Sequence, residues 1–486
     1  MAAKKYDLIV VGGGSGGLVS AAGAAGLGAK VALIEKKKLG GDCLNTGCVP
    51  SKALIRSARA IRDMRRASEF GIRDCQFQFE FADIVDRIRE IQGKIEPHDS
   101  PQRFRGLGID VRFGIFSFRN AHELTDGADV LYGKRIVIAT GSSPLVPPIP
   151  GCEERRCITT ENIWEMRVLP KRFAIIGAGP IGSEIAQCFA RFGSHVTLID
   201  IAPGILPRED GDMKGYVEGA FQEEGIEFKF NTKVVGVRHE PDHHVVNLER
   251  GGRGEELICD EIFIAVGRRP NIGGLELERA GIATDKGGIA INDYCQTSIP
   301  HVYACGDVTG PYLFTHFADY QARLVLRNAF FPGKKRVDYR VVPWCTYTDP
   351  ELARVGLSEN EARGKKLSFD VYSFELSDLD RAICDSDARG KVKVIVRKGR
   401  DDILGGAIVG AHAGDLIQEI TFSMKNKLGL KAILNTIHPY PTFGESTKKV
   451  AEDWLMARFK PWMKGLFSWY FRNLLKCEIL RGAWDE

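Results

Sequence analysis

Little in this sequence is extreme, and what it lacks narrows the field first. It lacks a charge excess: 67 Lys+Arg against 63 Asp+Glu leave +4 on 53.7 kDa, and no basic cluster accompanies an aromatic nucleic-acid module. Nucleic acid is therefore not an expected partner. It lacks any uncharged apolar run of about 18 residues, which excludes a membrane-spanning helix. Its opening Met1-Ala-Ala-Lys-Lys leads straight into a strand-like run with no apolar leader, so a cytoplasmic chain is expected. In that reducing setting a structural disulfide framework is not expected either, and the 12 cysteines read as thiols or a catalytic pair. Glycine is the residue in excess, 54 of 486 without a collagen period, which assigns it to turns and close backbone approaches. At about 100–200 residues per domain the length predicts three domains with cores of their own.

The glycines fall into a pattern. Tyr6 to Val11 is a β-rich run that ends in Gly12-Gly13-Gly14-Ser15-Gly16-Gly17; a small-residue helix over Leu18 to Ala29 and a strand from Lys30 to Ile34 are predicted next, ending at Glu35. This is a dinucleotide fingerprint in its required context, with an acidic residue 18 positions after the last glycine. Gly12 allows the tight turn, Gly14 lets backbone amides approach a pyrophosphate, Gly17 lets helix and strand pack, and Glu35 can accept from a ribose hydroxyl. The unit recurs: Phe173 to Ile176 leads into Gly177-Ala178-Gly179-Pro180-Ile181-Gly182, a helix follows to Phe192, and His195 to Ile199 ends at Asp200. Two nucleotide sites are predicted, suiting one flavin and one nicotinamide dinucleotide. A carboxylate at Asp200 accepts from the 2′-OH of NAD and repels the 2′-phosphate of NADP, so NADH is the expected donor.

Each fingerprint is followed by a strand and a glycine-punctuated crossover, Arg135 to Pro144 after the first and Ile262 to Asn271 after the second. Between Glu35 and the first crossover stands Leu39-Gly-Gly-Asp-Cys-Leu-Asn-Thr-Gly-Cys-Val-Pro-Ser-Lys52, with Cys43 and Cys48 five positions apart. That spacing lets two sulfurs meet from a turn into a following helix, while two buried thiols are the plain alternative. Cys152 and Cys157 repeat the spacing on the crossover, where incidental surface thiols are expected. Cys75, Cys188, Cys259, Cys295, Cys305, Cys345 and Cys384 have no partner by spacing and read as small core residues.

The redox segment, the second fingerprint with Gly182-Ser183-Glu184, Thr297 to Asp307 (Thr-Ser-Ile-Pro-His-Val-Tyr-Ala-Cys-Gly-Asp), Tyr347-Thr-Asp-Pro-Glu-Leu-Ala353 and Pro441-Thr-x-x-Glu445 resemble, in order and over nearly the whole chain, the class I flavoprotein disulfide reductases. That is the family of dihydrolipoamide dehydrogenase, glutathione reductase and mercuric reductase. The resemblance implies an α/β chain with two Rossmann-like domains, for FAD and NAD, and a C-terminal α+β dimerisation domain. It implies a homodimer and a relay from nicotinamide through flavin to the Cys43–Cys48 disulfide. A disulfide or soft metal ion would be the final acceptor. Cys48 becomes the flavin-proximal thiol and Cys43 the exposed attacking one. Asp307 is placed on the ribityl chain, Lys52 and Glu184 form an ion pair near the flavin ring, and Gly41, Thr140, Gly141 and Gly267 join the cofactor contacts. The implied domains are 1–150 for FAD with the redox pair, 151–272 for NAD(P), 273–342 for FAD again, 343–457 for dimerisation, and 458–486 as an extension.

The sequence departs from that pattern in three places. A histidine that serves as base in dihydrolipoamide dehydrogenase and glutathione reductase is replaced by Tyr440, whose ordinary titration near pH 10 makes it a poor base, while Glu445 is kept. His438 can substitute, or can be an off-site core histidine. Loss of the base is shared with mercuric reductase, a branch that Ala186 to Thr197 and Pro207-Arg-Glu-Asp210 also resemble. Yet that enzyme's C-terminal cysteine pair is reduced to Cys477, so no certain metal site is expected beyond soft-metal binding by Cys43 and Cys48. Phe459 to Lys476 is a basic, aromatic, amphipathic helix suited to its own dimer or to peripheral contact with the inner membrane face. Two further readings follow: a peripheral NADH:quinone oxidoreductase, and a slow nucleotide-binding redox sensor or complex subunit.

Overall fold

A computed structural model describes residues 3–152 and 157–481, with side chains of the last helix as far as residue 474. By chain contact these form two compact units: one from residues up to 208, 218–339 and 346–348, the other from 209–217, 340–345 and 349 onward.

The first unit holds both nucleotide folds. Leu8-Ile9-Val10-Val11 is buried on both faces, as a continuous apolar run in the middle of a parallel sheet must be. Lys4–Val11 pairs in parallel with Val31–Glu35 on one side and Val130–Ile138 on the other. Asp110–Phe113 extends one edge, and Val302–Ala304 returns late in the chain to pair with Val130–Ile138. The first helix is Ser15–Gly26, three residues earlier at each end than the periodicity predicts. It starts early because Gly16 and Gly17 already form its first turn, and it stops before Gly28, which takes φ +84.

The second fold is a parallel sheet in the order Glu227–Lys229, His195–Ile199, Arg172–Ile176, Glu261–Ile264. Beside it lies the antiparallel sheet Lys233–His239, His244–Arg250, Arg253–Cys259. Pro180 opens the helix Pro180–Phe192, a position where its missing N–H costs nothing. Phe189 packs against Phe173 at 4.5 Å between ring centroids and against Phe81, on the helix Phe81–Ile95, at 5.5 Å. Truncating Phe189 to alanine would cost about 3–5 kcal/mol.

The second unit is an antiparallel sheet, Glu351–Gly356, Ile403–Gly410, Lys391–Arg397 and Phe369–Glu375, with Pro343–Thr346 at one edge. Val392, Ile408, Ile417, Ile420 and Trp454 fill its core. Helices Ala413–Lys425 and Glu445–Met456 supply that core. The architecture is therefore α/β, with two dinucleotide folds and a C-terminal α+β unit. The final helix, Pro461–Arg481, exposes Trp462, Leu466, Phe467, Trp469, Tyr470 and Phe471. Among the described residues no helix is long and apolar enough to cross a membrane.

Candidate active site

Several strand ends on the side of the two glycine loops carry a residue singled out by the sequence. In the first fold these are Gly12 after Lys4–Val11, Glu35 at the end of its strand, Thr140 after Val130–Ile138 and Asp307 after Val302–Ala304. In the second they are Gly177, Asp200 and Gly267. Ligands of parallel α/β sheets bind at such carboxyl ends.

The loops themselves fit a pyrophosphate. Gly12 takes φ +106, and a Cβ there would lie 2.3 Å from the Ala139 carbonyl oxygen; at Gly177, with φ +107, it would lie 2.4 Å from that of Ala265. Third glycines are tighter still, since a Cβ on Gly17 or Gly182 would meet the Gly12 or Gly177 carbonyl oxygen at 1.8 Å. Neither following helix has a side-chain cap, so its N-terminal amides and positive dipole end are left to an anion. The acidic residues brace the loops: Glu35 accepts from Gly13 N and Lys37 N at 2.7 Å each, and Asp200 from Ala178 N at 2.6 Å and Ala202 N at 2.7 Å. Gly41, at φ +57, lies against the first loop, where a Cβ would approach Gly14 Cα to 2.5 Å.

Cys43 lies in the one-turn helix Gly41–Asn45, and Cys48 opens the helix Cys48–Arg65. Both are free thiols that share a hydrogen bond. Cys43 is half-buried and Cys48 exposed. Asn45 bonds back to the Leu39 and Gly41 carbonyls, and Gln92 donates to those of Leu44 and Asn45, which fixes the short turn between the two cysteines. Cys48 Sγ lies 3.4 Å from Thr315 Oγ1. The hydrogen bond from Cys43, with help from Thr315 and the Lys52 ammonium, outweighs burial and brings Cys48 down to about 6. The Cys43 thiol moves up, because it keeps the shared proton beside Cys48 and is itself desolvated. A helix N-terminus favours the same assignment of thiolate to Cys48.

One helical turn on, Lys52 Nζ reaches Glu184 Oε2 at 2.8 Å and sits 4.4 Å from the Tyr347 ring centroid. Glu184 is buried and accepts a second bond from Tyr347 N at 2.9 Å. Asp307 accepts from Ser142 Oγ at 2.6 Å, and burial pushes its carboxyl up despite that bond. Arg268 then bonds Ser142 Oγ at 2.8 Å and Asp42 at 2.9 Å, linking Asp307 to the neighbour of Cys43. Thr140 Oγ1 donates to the Asn271 carbonyl at 2.7 Å, while Gly141 and Gly267 turn at φ +70 and +142 to join the two crossovers. Thr315, Arg268 and Ser142 were missed by sequence reasoning, because they stand far from the motifs they serve. Tyr347 lay inside a quoted motif that signals no role by spacing.

The second unit holds the remaining candidates. Tyr440 is exposed and its hydroxyl donates to Asp380 at 2.9 Å, a bond that raises its titration further. Both His438 ring nitrogens face acceptors at 2.9 Å, the Thr436 carbonyl and Glu419 Oε1, which makes it a structural histidine. Glu445 lies 3.4 Å from Thr442 N as its helix begins. Among the described residues one acidic trio has metal-like spacing, Asp210, Asp212 and Glu359, and the buried Lys393 ammonium already fills it at 2.7–3.0 Å. Cys477 has its side chain outside the described residues.

Two cysteine expectations need correction. Cys152 and Cys157 are not surface thiols: both are buried in the apolar core of the second fold, with their sulfurs 2.7 Å apart. Cys75 and Cys384 are exposed, and so are not core residues.

Paired dinucleotide loops and a thiol pair at a helix start, with an ion pair beside it, define a dinucleotide-dependent dithiol oxidoreductase. The chain belongs to the pyridine nucleotide-disulphide oxidoreductase family, whose pattern matches residues 6–325, and it carries that family's dimerisation domain over 342–451. The family is one of FAD- and NAD(P)-dependent oxidoreductases. The chain is 33% identical to dihydrolipoyl dehydrogenase of Bacillus subtilis (strain 168), over 92% of this chain and 98% of that one. It is 32% identical to mercuric reductase of Lysinibacillus sphaericus, over 92% and 82%. The HOCl-induced flavoprotein disulfide reductase RclA from Escherichia coli superposes with a TM-score of 0.82 at 28% identity, over 92% of this chain and 99% of that one.

Proposed function

We propose that this protein is a homodimeric, FAD-dependent NADH oxidoreductase that passes electrons through Cys43 and Cys48 to a soft metal ion held by those thiolates. Gly12, Gly14, Gly17 and Glu35 would hold the pyrophosphate and ribose of FAD, with Gly41, Thr140, Gly141 and Asp307 around it. FAD bound there supplies two-electron transfer between a nicotinamide and the thiol pair. Gly177, Gly179, Gly182 and Asp200 would hold the nicotinamide dinucleotide, and the Asp200 charge disfavours a 2′-phosphate. The hydrogen bond from Cys43 favours the thiolate at Cys48, and Lys52, fixed by Glu184 and Tyr347, adds to it.

The observation that carries the choice of acceptor is the state of Tyr440. Reduction of a disulfide needs a proton on the departing thiolate, and the pair regains its starting state through a base. Tyr440 gives its proton to a bond with Asp380 and His438 is occupied at both nitrogens, so this chain has no base at the family's position. A soft metal ion needs no proton delivered to a leaving thiolate; on binding it displaces the proton that Cys43 holds, which passes to solvent.

The test is anaerobic NADH oxidation with Hg(II) or with a small cyclic disulfide as acceptor. Metal-dependent turnover should vanish in Cys43→Ser and in Cys48→Ser. Disulfide turnover should be slow in the native enzyme and rise about tenfold or more in Tyr440→His, within the range general-base catalysis supplies. Efficient disulfide turnover that ignores Tyr440→His would overturn the proposal.

A further inference from the structure

The Cys152 and Cys157 pair is not used by the chemistry above, and its geometry is unlike that of a resting pair of core thiols. Cys152 and Cys157 are 3% and 2% exposed, packed with Ile176, Ile199, Val237, Leu248 and Ile264 in one apolar cluster. Their sulfurs lie 2.7 Å apart, well inside the roughly 3.5–4.0 Å at which non-bonded heavy atoms settle. A shift of well under 1 Å would bring them to bonding distance, about 2.05 Å.

The backbone on both sides is fixed. Before the pair, Pro150 O accepts from Val237 N at 2.8 Å, Gly151 O lies 2.6 Å from His239 Nε2, and Cys152 N donates to Ile149 O at 2.9 Å. After it, Ile158 exchanges two 2.8 Å bonds with the strand Glu261–Ile264. The pair is therefore presented from two anchored ends, which is what a reversible cross-link needs. Cys259 shares the cluster as a third sulfur, paired in register with His244.

We propose that Cys152 and Cys157 form a second redox-active disulfide, closed by hydrogen peroxide and independent of the Cys43–Cys48 pair. In the closing reaction Cys152 Sγ attacks one peroxide oxygen, the O–O bond breaks, and the departing hydroxide leaves as water with the Cys152 proton. Cys157 Sγ then attacks the resulting sulfenic sulfur; the S–S bond forms, the S–O bond breaks, and the hydroxyl leaves as water with the Cys157 proton. Two thiols are oxidised by two electrons and one peroxide is reduced to two waters. Cys152 is cast as the attacker because the hydrogen bond from Cys157 pulls its titration down. A pair this buried excludes bulky disulfides, so the oxidant must be small.

The test maps disulfides in the native holoenzyme. Arg155 and Arg156 lie between the two cysteines, so trypsin separates them into peptides 136–155 and 157–167, whereas Cys43 and Cys48 stay together in 39–52. The protein is treated with stoichiometric hydrogen peroxide, alkylated under denaturing conditions and digested without reductant. Peptides 136–155 and 157–167 should appear joined, and should separate after dithiothreitol treatment before alkylation. The same linkage should form in Cys43→Ser/Cys48→Ser. Alkylated Cys152 and Cys157 after peroxide would overturn the proposal, as would a sulfinic acid without linkage, a Cys157–Cys259 link, or linkage that needs Cys43 and Cys48.

Discussion

The two glycine loops are near copies in backbone and differ in what covers them. Their first and third glycines face the same clearances, 2.3 and 1.8 Å in one loop against 2.4 and 1.8 Å in the other. Each is braced by a carboxylate on the amide after the first glycine. At the middle glycine they part. Gly14 meets Gly41 of the redox segment, and Gly40 N donates to the Gly13 carbonyl at 2.9 Å, so the first loop is roofed. A Cβ at Gly179 has no neighbour within 4 Å. A roofed loop suits a group that stays, and an open one suits a nucleotide that exchanges with every turnover. On the proposed assignment, one motif serves residence or exchange according to the segment laid over it.

The largest expected effect treats the loops alike. Gly17→Ala and Gly182→Ala each press a methyl onto a backbone oxygen, and each should cost about 3 kcal/mol in denaturant unfolding of the holoenzyme. A mild effect at one alone would break the equivalence. The next prediction separates them. Gly41→Ala, strained by φ +57 and a 2.5 Å approach, should release FAD on gel filtration while sparing NADH affinity in what remains loaded. Gly179→Ala should do the reverse, retaining FAD and raising the KM for NADH about tenfold. Equal effects on both cofactors would remove the distinction between roofed and open loops.

A comparable contrast holds between the two cysteine pairs, one at an exposed helix start and one in a core. Lys52→Met tests what tunes the first. The hydrogen bond from Cys43 chiefly brings the Cys48 thiol down to about 6, with a smaller contribution from Lys52. Without the Lys52 charge the titration should move up part of the way, since the Cys43 hydrogen bond remains, so alkylation of Cys48 at pH 7 should slow. Leaving the Glu184 carboxylate without its ammonium should also cost about 1–3 kcal/mol of stability. An unchanged alkylation profile would count against Lys52 as the tuning charge. The smallest expected effect is at Asp200: Asp200→Ser should shift the NADH to NADPH ratio of kcat/KM about tenfold toward NADPH, or about 1.4 kcal/mol. No shift would return the acidic residue to a purely bracing role.

The parts that could be read from the sequence were those encoded locally. Strand, glycine loop, helix and acidic residue follow one another within 30 residues, so both nucleotide folds and the placement of Glu35 and Asp200 were legible. Lys52 and Glu184 lie 132 residues apart, and their union rested on resemblance until the 2.8 Å contact appeared. Thr315, Arg268 and Ser142 were illegible because the sheet, not the sequence, brings them to Cys48 and Asp307. Burial was misjudged for the same reason. Cys152 and Cys157 sit in a polar, proline-rich stretch that reads as surface, yet the strands Lys233–His239 and Glu261–Ile264 close over its ends. His438 was left open by its neighbours in sequence and decided by Glu419, 19 residues away.

The central claim is that the first loop's cofactor, the second loop's nucleotide and the Cys43–Cys48 pair form one electron path. The most direct measurement is anaerobic addition of one equivalent of NADH to the oxidised holoenzyme, followed by rapid alkylation, peptide mapping and the visible spectrum. The account predicts two new alkylated thiols, both in peptide 39–52, with the flavin spectrum largely restored to its oxidised form. Bleached flavin with no new thiol at Cys43 or Cys48 would contradict it.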